Sequence, residues 1–352
     1  MDRNGRPGGA REAYPGQPVA EAATRPGRAP APARGRAVGE LVDIEQIVAV
    51  ASQFYLQGRT QVEIAREMGL DPSTVSRYLK RARDERIVRI DIRAPRLEEA
   101  ALGVALAERF GLSRAIAVPS DAGTMEPVAS RAADHVASLL RCGMRLGVSW
   151  GQTLSALVQR LPPGVVSDLD VAQMAGGLSS TTPGVQGAEL VRRVAELYPP
   201  SQVHYLHAPA IVDSDEIQRA IASDRSVQAA LSAAADSELA LVGIGTLAGD
   251  ATLVRGGHLS TEDRLLLLDH GAVGNVNTRF FDEAGQPVTD LDERTVALGW
   301  DDLQAIPTVV AVAGGLAKSR AILGALRTGC IDVLVTDAPT ARVLLESTAL
   351  AQ

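Results

Sequence analysis

Apolar positions divide the chain into two regimes. In residues 41–93 they recur at helical spacing. Ile44, Ile47, Val48, Ala51 and Tyr55 mark a first helix that Gly58 ends. Thr60 with Glu63 three residues on forms a capping-box pattern, and Val62, Ile64, Ala65 and Met68 carry a second helix to Gly69. Asp71-Pro72 supplies an N-cap and a first-turn proline for a third helix reaching about Arg83. Ile87–Ile92 alternates like a short strand, a candidate wing closed by Pro95.

Beyond a predicted linking helix (Leu97–Phe110, within a linker at 94–112) the pattern changes. Short apolar runs at 115–118, 144–149, 169–175, 203–206, 239–244, 272–276, 308–313 and 331–335 predict buried strands. Helical stretches at 151–160, 187–197, 216–222, 260–270, 316–328 and 339–349 alternate with them. Nearly continuous apolar strands separated by helices predict an α/β domain over 113–352, built on a largely parallel sheet covered on both faces. Residues 1–40, rich in Gly, Pro, Ala and Arg, lack the aliphatic surface to offset their ordering entropy and are expected to form a disordered tail.

Composition narrows the class. Of 352 residues 46% are hydrophobic and 22% charged, which excludes wholesale disorder, and aromatics at 3% leave the core to aliphatic side chains. No uninterrupted apolar run suits a membrane span, and no secretory signal is expected, since no compact apolar run precedes a small-residue cleavage site near the start. Cys142 and Cys330 stand apart without metal-ligand spacing, as do His204, His207, His258 and His270, so no metal or other cofactor is expected and a reducing cytoplasm fits. The net charge of −7 conceals an asymmetry. Residues 41–96 hold ten basic and eight acidic side chains, whereas 97–352 hold 18 and 30, so a polyanion is expected to meet the front of the chain.

Gln61–Lys80 meets the physical requirements of a helix-turn-helix. Ala65 is small where two helices cross, Gly69 suits a tight turn, and Val75, Tyr78 and Leu79 face inward. The opposite face presents Ser73, Thr74, Ser76, Arg77, Lys80 and Arg81, small hydrogen-bonding groups first and cations after. That order suits base reading in the major groove of duplex DNA with phosphates held behind, and Arg77 is the candidate guanine reader.

In the acidic body, strand ends run into loops rich in glycine and hydroxyls: Gly147–Leu154, Ala175-Gly176-Gly177, Gly243–Thr246, Gly271–Asn275 and Ala313–Ser319. Parallel sheets gather such loops at the carboxyl ends of their strands, where ligands bind. Bare amides, hydroxyls, Lys318 and an acceptor at Asp269 suit a sugar phosphate, with the phosphate at helix N-termini and Lys318 and the sugar hydroxyls on Asp269 and Asn275. Trp150 and Trp300 are expected to be packing residues.

As an ordered series these motifs resemble the SorC (deoxyribonucleoside-regulator-like) sugar-binding transcriptional regulators of bacteria. The likeness runs from about Asp43 to the C-terminus. It rests on Gln61–Lys80, Gly147–Leu154, Val242–Thr246, Gly271–Asn275 with Arg279-Phe-Phe-Asp282, Val312–Gly315 with Lys318, and Ile331–Asp337. The resemblance implies a winged helix-turn-helix followed by an effector domain folded like sugar-phosphate isomerases, assembled as homodimers or homotetramers. It implies effector contacts at Ser149, Gly151, Thr153, Gly176, Gly177, Gly243, Asp269, Asn275 and Lys318. Two departures stand out: Ala175 replaces the family's usual threonine or valine, and the Arg-rich extension before residue 40 is longer than usual. The expected function is operator binding modulated by a phosphorylated sugar. An isomerase-like enzyme fused to a DNA-binding head is the alternative, with Asp269 and His270 as its available acid and base, and a DNA-binding structural protein with a vestigial effector body is a third.

Overall fold

The computed structural model describes residues 34–349 apart from 86, 89–96, 121–123 and 178–185, with backbone alone at 34–43 and 348–349. The chain divides into two compact units, residues 1–93 and 94–352. The expected tail lies outside the described residues as far as 33. Helix α1 (Arg34–Tyr55) begins inside the stretch expected to be tail. Most of the candidate wing strand, and Pro95, also fall outside the described residues.

In the first unit α1 is followed by α2 (Gln61–Met68) and α3 (Pro72–Asp84). The Glu63 amide donates to Thr60 Oγ1 at 3.3 Å and the Thr60 amide donates to Glu63 Oε2 at 2.8 Å, so the capping box closes as its spacing predicts. The Thr60 amide, and the Thr60 hydroxyl that also donates to Glu63 Oε2 at 2.8 Å, hold the Glu63 carboxyl below its usual range. Gly69 ends α2 at φ 64°, a left-handed conformation that a side chain resists, and its amide returns to the Ala65 carbonyl. Asp71 occupies the N-cap of α3, but its side chain makes no capping bond. The core is Ile47, Val50, Ala51, Ile64, Ala65, Val75, Leu79 and Ala82. Ile44 and Val48, expected inside, are 40% and 44% exposed, and Val50 fills the place instead. Losing the box through Thr60→Ala is expected to lower the opening free energy of the α2 amides by about 1 kcal/mol. Hydrogen exchange on the intact chain checks this, with amides of the second unit unmoved.

The second unit runs α4 (Leu97–Phe110), β1 (Arg114–Val118), α5 (Glu126–Leu139), β2 (Arg145–Val148), α6 (Gln152–Val158), β3 (Asp170–Gln173), α7 (Gly187–Leu197) and β4 (Gln202–His204). It continues with α8 (Asp215–Ala222), α9 (Arg225–Ala235), β5 (Leu239–Thr246), α10 (Thr252–Arg255), α11 (Thr261–Asp269), β6 (Ala272–Val276), β7 (Arg279–Asp282) and β8 (Pro287–Val288). It ends with α12 (Trp300–Ala305), β9 (Val309–Val312), α13 (Ser319–Arg327), β10 (Val333–Asp337) and α14 (Ala338–Ala349). Helix α4 is no free linker. Leu106 is fully buried in the core of this unit, and Arg342 on α14 donates to Glu98 Oε1 at 2.6 Å.

Seven strands form the expected parallel sheet in the order β1-β10-β9-β5-β2-β3-β4. One core lies on each face. The run 272–276, expected to join it, instead pairs antiparallel with the far end of β5 and continues into β7 and β8. The cause is local. Asn277 and Thr278 adopt φ 49° and 68°, making a two-residue turn whose twist suits a hairpin between β6 and β7. Among the described residues no helix is long and apolar enough to cross a membrane.

Candidate functional site

Each unit carries one of the expected sites. On α3, Ser73, Ser76, Arg77 and Lys80 are exposed, while Val75 and Leu79 are buried on the opposite face. Thr74 is half-buried and accepts a 3.0 Å bond from Arg77 Nη2, so the guanidinium is oriented from its own helix. Arg81 differs from expectation. It is half-buried and its Nε pairs with Glu85 Oε1 at 2.5 Å, which partly neutralises it.

In the second unit a cavity of about 290 Å³ opens at the carboxyl ends of β2, β5 and β9, which are neighbours in the sheet. That volume sits near the lower end of the ~300–1,000 Å³ usual for small-molecule sites. Ser149, Gly151, Thr153, Gly243, Asn275 and Lys318 all line it, as the sequence predicts. Gly151 turns the chain at φ 135°, and the following α6 leaves its first-turn amides without intrahelical acceptors. The Thr153 and Thr246 side chains flank them, so this wall is rich in donors.

The back wall is a stitched hairpin. Buried Ser149 donates its hydroxyl to Asn277 Oδ1 at 2.9 Å, and Asn277 Nδ2 donates to the Met174 carbonyl at 3.2 Å. Ser149 therefore holds the wall in place through its hydroxyl proton, and Asn277 is a lining residue the sequence reading missed. Its signal was faint: Asn277 tolerates a positive φ, but Asn-Thr is not one of the glycine-containing pairs that mark a two-residue hairpin loop.

Lys318 enters from the turn after β9. The Gly315 amide donates to Asp337 Oδ2 at 2.6 Å, and Asp337 also accepts from the Thr340 amide and hydroxyl at 2.8 Å each. This buried carboxylate fixes the glycine turn from which Lys318 projects. Lys318 Nζ donates to the Ile244 carbonyl at 3.1 Å. Burial holds its amine below the ordinary lysine range, and the nearby Asp250 charge opposes that shift.

Three expected contacts lie elsewhere. Asp269 is exposed at the end of α11 and does not line the cavity, whereas Asp250, between β5 and α10, does. Gly176 and Gly177 lie beyond the end of β3 and give their amides to the carbonyls of Val296 and Ala208 at 2.8 and 2.7 Å. They splice that strand end to the segments at 206–212 and 294–297. Trp150 packs in a third apolar cluster with Leu253 and Leu267, as expected, but its ring also borders the cavity and its Nε1 has no hydrogen-bond partner among the described residues. Arg279, from the hairpin motif, is buried and donates to the carbonyls of Leu298 and Ala297 at 3.0 and 2.9 Å.

Comparison with known proteins agrees with this division. A sugar-binding-domain family matches residues 95–346, and a helix-turn-helix family matches residues 49–91. The chain is 30% identical over 303 residues to the deoxyribonucleoside regulator of Bacillus subtilis (strain 168), covering 85% of this chain and 96% of the relative. It is 32% identical over 315 residues to the transcriptional regulator LsrR of Enterobacter sp. (strain 638), covering 87% and 94%. Among solved structures, the full-length sorbitol operon regulator SorC of Klebsiella pneumoniae superposes with a TM-score of 0.69 at 31% identity, covering 86% of this chain and 99% of that one. These relatives are named as regulators, not enzymes.

Proposed function

Since this chain belongs to the SorC/DeoR-type family of sugar-binding, DNA-binding transcriptional regulators, we propose that a phosphorylated sugar held in the cavity sets its affinity for the operator of a carbohydrate or nucleoside catabolic operon. The observation that carries this is the cavity itself: donors of the Gly151–Thr153 turn, two threonine hydroxyls and the Lys318 amine converge on a space of sugar size at the carboxyl ends of three parallel strands. Relatives named for deoxyribonucleosides and for a sorbitol operon support the metabolic assignment. The partners are double-stranded operator DNA and the phosphorylated effector. A homodimer or homotetramer presents paired heads to half-sites about 34–36 Å apart, so a small change in their placement changes binding. The effector acts only through its different affinity for the two arrangements.

The test is binding of the intact protein to a duplex selected from a random pool, with and without a panel of sugar phosphates. At least one compound that binds the protein is expected to change the duplex Kd at fixed salt. If every compound that binds leaves the Kd unmoved, the coupling is absent. In the same assay Arg77→Ala is expected to cost about 1–3 kcal/mol on the selected duplex and less on a scrambled one. Equal loss on both makes Arg77 a phosphate contact.

A further inference from the structure

Lys318 and Asp250 are the formally charged side chains lining the cavity. Asp250 is exposed in the loop before α10, and its carboxylate makes no hydrogen bond or ion pair among the described residues. Lys318 spends one donor on the Ile244 carbonyl. Asp250 and Lys318 border the same cavity, and no ion pair joins them among the described residues. A ligand group that contacts both must therefore donate to the carboxylate and accept from the ammonium. A hydroxyl does both, while a phosphate dianion offers only acceptors and is repelled by Asp250. The Gly151–Thr153 turn and Thr246 line the cavity without contributing a carboxylate.

We propose that Asp250 is a specificity-determining residue, which admits the hydroxyl-bearing end of a sugar monophosphate beside Lys318 and rejects a bisphosphate. This rests on the sugar-phosphate assignment above and deepens it. Phosphate occupies the donor-rich turn, and the Asp250–Lys318 pair reads a hydroxyl at the other end. A second phosphate places like charge against the Asp250 carboxylate, which lowers affinity about tenfold or more.

Calorimetric titration of the intact protein with fructose 6-phosphate, fructose 1-phosphate, ribose 5-phosphate, glucose 6-phosphate and fructose 1,6-bisphosphate tests this. The wild type is expected to bind at least one monophosphate about tenfold or more tighter than the bisphosphate. Asp250→Asn keeps the size and removes the charge at an exposed position, so its thermal midpoint stays while the discrimination narrows about fivefold or more. A wild type that binds the bisphosphate as tightly as the monophosphates overturns the role of Asp250, and so does a ratio insensitive to the substitution. If no sugar phosphate binds the wild type, the sugar-phosphate assignment itself falls and takes this inference with it. Monophosphate binding with an unaltered ratio removes only Asp250.

Discussion

Gly176→Ala is expected to destabilise the α/β unit by about 3 kcal/mol while leaving ligand affinity of the folded protein unchanged. A Cβ built on Gly176 stands 2.4 Å from the Pro209 carbonyl oxygen, 2.5 Å from its carbon and 2.7 Å from the Ala208 oxygen. All three are backbone atoms, so no side chain can swing aside. The Gly176 amide is bonded to Val296 at 2.8 Å and cannot retreat without losing that bond. Gly177 is the control, because its Cβ would come no closer than 3.8 Å to the Ala208 oxygen. Gly177→Ala is therefore expected to stay within about 1 kcal/mol of wild type. Urea denaturation at constant m-value measures both. A stable Gly176→Ala protein that no longer binds sugar phosphate returns this glycine to the ligand site, where the sequence pattern put it.

That pattern was legible where one local rule decided the outcome. The Thr60–Glu63 box, the left-handed Gly69 and the inward Val75 and Leu79 each follow from helix geometry over a few residues. Parallel strands were legible for the same reason: a doubly covered strand needs a continuous apolar run. The helices α5 and α9 were missed because most of their buried positions are alanines (Ala129, Ala132, Ala133, Ala230 and Ala234), which announce an amphipathic face less plainly than the few valines beside them. Ile44 and Val48 illustrate the reverse error, since helical periodicity in α1 supports more than one apolar stripe and packing against α2 and α3 selects the one with Val50.

The ligand site shows a different limit. The six expected residues that line the cavity lie at or after the ends of strands that are neighbours in the sheet, or on the hairpin folded back over them. Gly176 and Asp269 belong to glycine-containing segments like those that line the cavity, but β3 lies one strand further out and Asp269 ends α11 on the surface. Strand order is a long-range property, and the order β9-β5-β2 is what decides which glycine loops share a cavity. Asp250 was overlooked because nothing in Leu247–Ala251 resembles a motif. Only the folded chain brings it to the cavity that Lys318 also lines.

Lys318→Met is expected to weaken binding of a sugar phosphate by about 2–4 kcal/mol, some 30- to 1,000-fold, with little change in protein stability. The ammonium donates to a sugar hydroxyl and attracts the phosphate on the Gly151–Thr153 turn across the small cavity, where little water screens it. Methionine keeps the length of the stem and its packing, and removes a cation whose burial is unfavourable in the free protein. The sign of the pH dependence follows. Burial sets the folded-state pKa below 10.5, the ordinary lysine value, so the folded chain binds fewer protons than the unfolded one between the two values. Stability attributable to this residue therefore rises with pH across that window. Anion binding runs the other way, because it requires the protonated amine. Wild-type affinity is expected to decline with rising pH before 10.5 is reached, whereas the Met variant, already weak, shows no such decline. Titrations of both proteins across the alkaline range provide the measurement. A Met variant that binds as tightly as wild type would show that backbone amides and threonine hydroxyls alone grip the phosphate. Matching pH profiles in the two proteins would show that some other group titrates in the site.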